Sequence, residues 1–175
     1  MSRMLNTFFR CSECKEKLIN TNSCSGCSKI YYNNEGFFDF TNTPITNTNQ
    51  KFSNLLSSIN SHGYSKALKE FLKSEPKYEY NFNKKEGSLA FRAINKSSSR
   101  CLILNSDLGN IPENLSQMYE EVYSLENDKN KVLIQKFRFQ ENKIDNVVLV
   151  RSKCDSLPFP DKHFDLVVLN GIQIK

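Results

Sequence analysis

Four short runs of apolar residues mark the second half of the chain. They lie at 101–104, 121–125, 146–150 and 164–170. Apolar runs without polar alternation are typical of strands buried on both faces of a sheet. A helical stretch from Val132 to Phe139 separates the second run from the third. Apolar strands that alternate with helices predict an α/β fold with about four parallel strands.

The preceding part of the chain has helical spacing. Between Phe52 and Leu72, apolar residues recur every three or four positions, which predicts two amphipathic helices. The pattern is interrupted at 61–63, where His62 is expected to lie at a helix end. Pro76 is expected to end the second helix, because proline cannot continue one.

Aromatic residues dominate the segment 30–40 near the N-terminus. Apolar residues on both sides of a turn at 33–36 predict a β-hairpin. They are Ile30, Tyr31 and Tyr32 before the turn, and Phe37, Phe38 and Phe40 after it. Such rings are able to stack on a nucleobase. The interpretation we favour is that they form the core of a small module that has few other apolar residues.

These patterns divide the chain into four parts. Between the first module and the helices lies a polar stretch that contains Pro44 and has no periodicity, which indicates a linker. Within the helical part we expect irregular structure at 77–85 and a short helix at 86–94. The predicted parts are a β module at 1–40, a linker at 41–50, a helical connector at 51–99 and the α/β part at 100–175.

Four cysteines within seventeen residues form two Cys-x-x-Cys pairs. They are Cys11, Cys14, Cys24 and Cys27. Each pair can wrap a tight turn that points both sulfurs at one ion, and a hairpin through Leu18 and Ile19 would bring the two turns together. The spacing predicts a closed structural site for Zn²⁺ in a zinc ribbon, with Gly26 supplying a positive φ in the second turn.

Iron binding and a pair of disulfides are the alternatives for these cysteines. Disulfides require an oxidising compartment, and the first residues contain no apolar stretch long enough for a secretory signal. We therefore expect a cytoplasmic protein.

Charge and hydropathy exclude some classes of function. No apolar run approaches the ~18 residues of a membrane span. The net charge is only +5, with Lys and Arg scattered along the chain. Nucleic-acid binding usually shows a concentrated basic patch, so charge does not support that function.

The end of the chain carries a family resemblance. The segment SLPFPDKHFDLVVLNGI (156–172) resembles class I S-adenosylmethionine-dependent methyltransferases, type 11 in particular. The cysteine module followed by Tyr32 and the segment 36–40 is similar to zinc ribbons that precede such domains. The resemblance covers about 1–40 and 86–172. It implies a Rossmann-like sheet, the cofactor S-adenosylmethionine and methyl transfer to an unknown acceptor.

The resemblance also implies a cofactor loop after the first strand. The family pattern is L-D-x-G-x-G-x-G, and aligning it on Leu102 and Gly109 places Ile103 at the acid and Asn105 and Asp107 at the first two glycines. Only Gly109 matches. Asp107 would add a negative charge beside the carboxylate of the cofactor's methionine part, which predicts weakened cofactor binding.

Further cofactor contacts are carried over from the same resemblance. Glu126, at the end of the second strand, is expected to accept hydrogen bonds from the ribose hydroxyls. The family acid that holds the adenine aligns with Lys153, so Asp155 is its expected stand-in, and Cys154 is expected in the pocket wall. Cys101 is expected in the core of the first strand.

The family fold has seven strands, whereas the sequence supplies four, which suggests a C-terminally truncated domain. The outer edge of the last strand would then be open to a protein partner or to a second copy of the chain. Three functions remain open. One is a methyltransferase, and the second is a non-catalytic, truncated or decayed methyltransferase whose ribbon still folds. The third is a zinc-ribbon adaptor that recruits a partner protein or RNA through Tyr31, Tyr32, Phe37 and Phe38.

Overall fold

The structure is a computed structural model of the whole chain. The residues described are 9–19, 23–31, 35–41, 49–83, 100–155 and 157–171. The predicted turn at 33–36 is described only in part, and the predicted helix at 86–94 lies outside these ranges. No helix in the described ranges has the length and apolar character needed to cross a membrane.

A five-stranded, fully parallel sheet forms the centre of the fold. Its strands are β3 (Phe38–Asp39), β4 (Arg100–Leu104), β5 (Glu121–Glu126), β6 (Val147–Arg151) and β7 (Leu166–Leu169). Their order across the sheet is β3-β6-β5-β4-β7. The four predicted strands are therefore confirmed, and the fold is α/β. A fifth strand, from the aromatic segment, pairs with β6 so that Phe38 lies beside Val150.

Two helices cover one face of the sheet. They are α4 (Asn110–Ser116) and α5 (Lys129–Glu141). Leu115 packs on Cys101 and Ile103, and both of these β4 side chains are fully buried. Because every second residue of a strand points to the same face, Leu102 and Leu104 point to the other one.

The cysteine module covers that opposite face. Phe9 lies 4.5 Å from Phe38 and 6.1 Å from Tyr123, measured between ring centroids. Cys11 and Cys24 belong to the same apolar cluster as Leu102 and Tyr123. The module therefore packs directly on the sheet. It supplies part of the hydrophobic core of the sheet.

Within the module, β1 (Leu18–Ile19) pairs with β2 (Ser23–Cys24) in antiparallel fashion. This pairing confirms the predicted hairpin between the two cysteine pairs. The predicted aromatic hairpin is wrong in one respect, since Phe38 and Asp39 pair with β6 rather than forming a self-contained ribbon. A hydrogen bond from the Asp39 amide to the Tyr31 carbonyl still joins the two sides of the predicted hairpin.

Three helices form an outer layer against α5. They are α1 (Gln50–His62), α2 (Tyr64–Ser74) and α3 (Pro76–Asn83). Helices α1 and α2 confirm the two helices predicted from the hydrophobic periodicity. The break between them is at Gly63, whose φ is 83°. The prediction of irregular structure at 77–85 is wrong over 77–83. Pro76 ends α2 but also begins α3, because proline is well suited to the first turn of a helix, and Tyr78 packs on Phe52 and Phe71.

Strand β7 forms one edge of the sheet. Among the described residues no strand pairs with its outer side. Val167 and Leu169 point away from α4, and the two residues are 44% and 52% exposed. The expectation of a partner or a second copy at this edge stays a prediction.

Candidate functional site

The four cysteines of the module converge on one point. Their Sγ atoms all lie within 4.8 Å of one another. The Sγ atoms of Cys14 and Cys24 are 3.2 Å apart, and those of Cys11 and Cys27 are 3.6 Å apart. A tetrahedral ion with Zn–S bonds of about 2.3 Å would hold its sulfurs about 3.8 Å apart, close to this arrangement. The cluster therefore suits a tetrahedral metal ion.

Backbone amides point at these sulfurs, as expected for metal-binding turns. The amides of Glu13 and Cys14 both donate to Cys11 Sγ at 3.4 Å, and the Gly26 amide donates to Cys24 Sγ at 3.3 Å. All six cysteines of the chain are free thiols rather than disulfides.

The predicted role of Gly26 as a positive-φ residue is wrong. The left-handed residues are instead Lys15 and Ser28, each directly after the second cysteine of a pair. A Cβ atom on Gly26 would lie 3.3 Å from Cys14 Sγ and 3.2 Å from Glu16 Cγ. The absence of a side chain at this position therefore allows the two turns to approach each other closely.

Tyr31 links the cysteine cluster to the sheet. Its hydroxyl lies 2.9 Å from Cys11 Sγ and 3.2 Å from Ser12 Oγ. Burial raises the pKa of the Cys11 thiol, but the Tyr31 hydroxyl and the two backbone amides outweigh it and lower the pKa to about 6. A thiol that ionises easily is a good metal ligand, because the thiolate is the form that binds.

Three aromatic side chains expected to recruit a partner are buried. Tyr31 and Phe37 are each 1% exposed, and Phe38 is 8% exposed. This burial contradicts the adaptor hypothesis for these three rings. Tyr32, its fourth member, lies outside the described residues.

A second group of candidate residues lies at the carboxyl ends of the strands. In a parallel sheet this edge binds ligands, next to the point where the strand order reverses. Here that point lies between β4 and β7. The loop that follows β4, at 105–109, has a left-handed backbone at alternate residues. Asn105 has φ 58°, Asp107 φ 53° and Gly109 φ 85°.

This backbone explains the substitutions in the loop. Asparagine and aspartate are the residues other than glycine that adopt a left-handed conformation most readily. The chain therefore keeps the backbone path that three spaced glycines would allow, while two of the glycines are replaced.

Gly109 itself faces α5. A Cβ atom on it would lie 3.0 Å from Gln135 Cγ and 3.1 Å from Phe139 Cζ. The glycine allows the start of α4 to pack closely on α5. The side of Gly109 where a Cβ atom would lie is thus occupied by α5.

Glu126 ends β5 beside this loop and is 4% exposed. Its Oε2 accepts the Asp107 amide at 3.0 Å, and its Oε1 accepts the amides of Asn127 and Asp128 at 2.9 and 3.1 Å. Burial raises the pKa of this carboxyl, opposed by the nearby Lys131 and the backbone amides. Glu126 thereby joins the ends of β4 and β5.

Two residues of α5 complete the support of the loop, and sequence analysis missed both. Gln135 is fully buried and donates to the Asp107 carbonyl at 2.7 Å and to Ser106 Oγ at 3.0 Å. Lys131 pairs with Asp107, with Nζ 2.7 Å from Oδ1. The signal for Gln135 was its position on the apolar stripe, three residues after Val132 and four before Phe139.

The ion pair between Lys131 and Asp107 changes the expected effect of Asp107 on cofactor binding. The sequence predicted an uncompensated negative charge at the loop. In the structure that charge has a close ammonium partner, so the predicted repulsion is offset.

The remaining candidates lie on the neighbouring loop after β6. Cys154 is an exposed residue whose thiol lies beside the Asn105 amide, and partial burial of the thiol raises its pKa. Asp155 and Lys153 are exposed. The structure thus brings Cys154 to the loop of β4, whereas among the described residues no hydrogen bond or ion pair holds Asp155 there.

At the point where strand order reverses, two amides bridge the strand ends. Asn105 Nδ2 donates to the Asn170 carbonyl at 2.8 Å, and Asn170 Nδ2 donates to the Asn105 carbonyl at 3.1 Å. Sequence analysis did not single out this pair. It holds the loop of β4 against the end of β7.

One protein family matches part of the chain. Residues 107–172 match the family described as "Methyltransferase domain", type 11. No curated protein matches the sequence.

Several solved structures are similar over part of the chain. The YcgJ protein of Bacillus subtilis is 25% identical over 47% of this chain and 36% of its own, with a TM-score of 0.45. An S-adenosylmethionine-dependent methyltransferase of Clostridium acetobutylicum is 16% identical over 61% of this chain and 43% of its own, with a TM-score of 0.47.

A third similar structure is phosphoethanolamine N-methyltransferase 1 of Haemonchus contortus, solved with phosphoethanolamine and S-adenosylhomocysteine. It is 10% identical over 70% of this chain and 25% of its own, with a TM-score of 0.49. In all three cases this chain spans less than half of the length of the structure it matches.

Proposed function

We propose that the carboxyl edge of the sheet binds S-adenosylmethionine for methyl transfer to an acceptor that is not identified, since residues 107–172 match the methyltransferase-domain family. The observation that carries this proposal is the left-handed series Asn105, Asp107 and Gly109. Such a backbone turns sharply after a strand and leaves room for a nucleoside ligand at the strand ends.

The residues around the loop fit this ligand. Gln135 and Glu126 fix the carbonyl and amide of Asp107, so hydrogen bonds within the chain hold the loop in place. A site that is ordered before binding loses less entropy when the ligand arrives. Lys131 neutralises Asp107, so the loop does not oppose an anionic group by its charge.

Each candidate residue has a role in this proposal. Gly109 and the loop before it would lie against the methionine part of the cofactor. Glu126 would accept a hydrogen bond from a ribose hydroxyl. It would use a lone pair that the three backbone amides do not occupy. Cys154 would border the adenine, with Asp155 as the acceptor for the adenine amino group.

When bound, S-adenosylmethionine supplies an electrophilic methyl group. The contribution of the chain is to hold this group in line with an incoming nucleophile, which is catalysis by proximity and orientation. No catalytic acid or base is assigned.

Calorimetric titration of the full chain with S-adenosylhomocysteine tests the proposal, because this product binds without reacting. We expect saturable binding at one site per chain. Glu126→Gln should weaken it, since an amide nitrogen would replace one of the acceptor oxygens, and Glu120→Gln, on the exposed turn before β5, is the matched control. If the wild-type chain takes up no ligand, the proposal is wrong.

The second candidate function is a non-catalytic scaffold derived from a methyltransferase. One observation favours it: both oxygens of Glu126 are already used by backbone amides. Failure of S-adenosylhomocysteine to bind to a folded, metal-loaded chain would support this candidate.

We also propose that the four cysteines hold one structural Zn²⁺. Four sulfur ligands without a histidine or an open position leave no place for a substrate, which is typical of a structural site. Six free thiols suit a reducing, cytoplasmic setting. Metal analysis of purified chain should give one zinc per chain. Iron in its place, or a folded chain with no metal, would contradict the assignment.

A further inference from the structure

We propose that Lys131 is a positioning residue of the candidate cofactor site, which holds the Asp107 carboxylate so that the amino-acid end of the cofactor can lie beside the loop. The inference rests on the proposed function. It assigns a role to a residue that has no counterpart in the family pattern considered above.

The contacts of Asp107 leave its side chain little freedom. Its amide donates to Glu126, its carbonyl accepts from Gln135, and its carboxylate lies 2.7 Å from Lys131 Nζ. With both backbone groups fixed and φ held at 53°, the direction of the Cα–Cβ bond is fixed as well. Lys131 then determines where the carboxylate lies.

Lys131 is itself held by the helical layer. Its Nζ lies 4.9 Å from the centre of the Phe52 ring on α1, within the range of a cation–π contact. The next residue of α1, Ser53, accepts a hydrogen bond from Asn130 at 2.9 Å. The first helix thus docks on the first turn of α5, which gives the helical layer a part in shaping the site.

The local charges explain why an ammonium group is needed there. Asp107 and Glu126 are two carboxylates on adjacent strand ends, joined by the Asp107 amide. Burial would lower the pKa of Lys131, but these two carboxylates raise it, so the side chain carries its charge at neutral pH. Without it, the loop would present two partly buried negative charges to the carboxylate of the ligand, which like charges disfavour.

This arrangement makes a specific prediction about ligands. S-adenosylhomocysteine carries an amino-acid end, whereas methylthioadenosine has the same nucleoside and no carboxylate. Removal of the Lys131 charge should therefore weaken the binding of S-adenosylhomocysteine and leave the binding of methylthioadenosine nearly unchanged. A general loss of structure would weaken both alike.

The experiment is a calorimetric comparison of the two ligands on the full chain and its variants. We expect Lys131→Met to lower the affinity for S-adenosylhomocysteine by about tenfold or more, the effect of one charged interaction. The double variant Lys131→Met/Asp107→Asn should recover most of this loss, because it removes the carboxylate that Lys131 compensates. Lys131→Arg should retain binding.

Lys129→Met is the matched control. Lys129 lies on the same turn of α5 and forms an ion pair of similar length, 2.6 Å, but with Glu35, away from the loop. Lys129→Met should leave the affinity for both ligands unchanged.

The outcomes separate this inference from the proposed function. If the wild-type chain and the double variant both bind neither ligand, the proposed function fails, and the inference with it. If the wild-type chain binds but Lys131→Met does not change the ratio of the two affinities, or the double variant stays as weak as the single one, only the role of Lys131 is overturned.

Discussion

The hydroxyl of Tyr31 lies 2.9 Å from Cys11 Sγ, while the Tyr31 ring stacks on Phe40 with ring centroids 4.5 Å apart. One side chain thus touches a sulfur of the candidate metal site and the core of the sheet. Loss of this hydroxyl is expected to weaken the metal site without removing a ligand, because hydrogen bonds to a thiolate stabilise its charge.

Tyr31→Phe should lower zinc affinity by about 10–100-fold, the usual effect of removing a group that hydrogen-bonds a ligand. Competition with a chromogenic chelator measures this. Tyr78→Phe, in the helical layer, removes a hydroxyl far from the cysteines and should have no effect. Equal zinc affinity in wild type and Tyr31→Phe would show that the contact does not act on the metal.

The cysteines differ in their expected contribution to metal binding. Cys24→Ser should abolish stoichiometric zinc, since Cys24 is 3% exposed and lies 3.2 Å from Cys14 Sγ. Cys154→Ser should retain one zinc per chain, because Cys154 is not a member of the four-cysteine cluster. Substitution with cobalt gives a visible spectrum that reports tetrahedral sulfur ligation.

The same variants test how the module is attached. Because Cys11 and Cys24 share an apolar cluster with Tyr123, metal loss should loosen the covering of the sheet as well as the module. Hydrogen exchange of the Phe40 amide, which donates to the Arg151 carbonyl at 2.8 Å, should speed up in Cys24→Ser and not in Cys154→Ser. Unchanged exchange in both variants would mean that the two parts are independent.

Gly109→Ala should destabilise the fold. The added Cβ atom would meet Gln135 and Phe139 at about the shortest contact tolerated, on a backbone at φ 85°. Left-handed strain of roughly 1–2 kcal/mol and overpacking of roughly 1–3 kcal/mol predict a loss of about 2–5 kcal/mol in the free energy of unfolding.

Urea denaturation measures this loss. Gly36→Ala is the control, because Gly36 has a similar φ of 86° and its added Cβ would meet only the flexible end of the Lys136 side chain, at 3.4 Å. Gly36→Ala should show the backbone strain with little overpacking and cost less. If the two variants are equally destabilised, the packing argument for Gly109 is wrong.

His163 should make stability depend on pH. Burial, and next the charge of Arg100, lower the pKa of this imidazole below its usual 6.5, against the opposing effect of Glu121 and Asp165. Below about pH 6.5 the unfolded chain then binds a proton that the folded chain resists. Stability should accordingly be complete above that pH and decline as the pH falls through the lowered pKa.

Urea denaturation at several pH values checks the sign. His163→Gln should flatten the decline relative to the wild type, even if its stability is lower overall. His62→Gln, at the exposed end of α1, should leave the slope as it is. A wild-type slope that does not differ from that of His163→Gln would contradict this prediction.

The cysteine spacing, the apolar runs and the helical periodicity of 52–72 are local signals, and each predicted its element correctly. A hydrophobic period is set by the geometry of a single strand or helix, so it can be recognised without knowledge of the neighbours. The segment LPFPD and the apolar strand after it likewise indicated the family. The irregular structure predicted after Pro76 failed because Tyr78 is ordered by Phe52 and Phe71, which lie on other helices.

Only the tertiary structure decided how these elements are used. Phe38 and Phe40 carry the same apolar signal whether they close a small module or join the sheet, and their pairing with β6 follows from contacts more than a hundred residues apart. The charge of Asp107 was visible in the sequence, but its partner Lys131 was not, because the two meet only when α5 packs beside the loop. Pairing partners and charge compensation depend on distances between distant segments, and those distances are set when the chain folds.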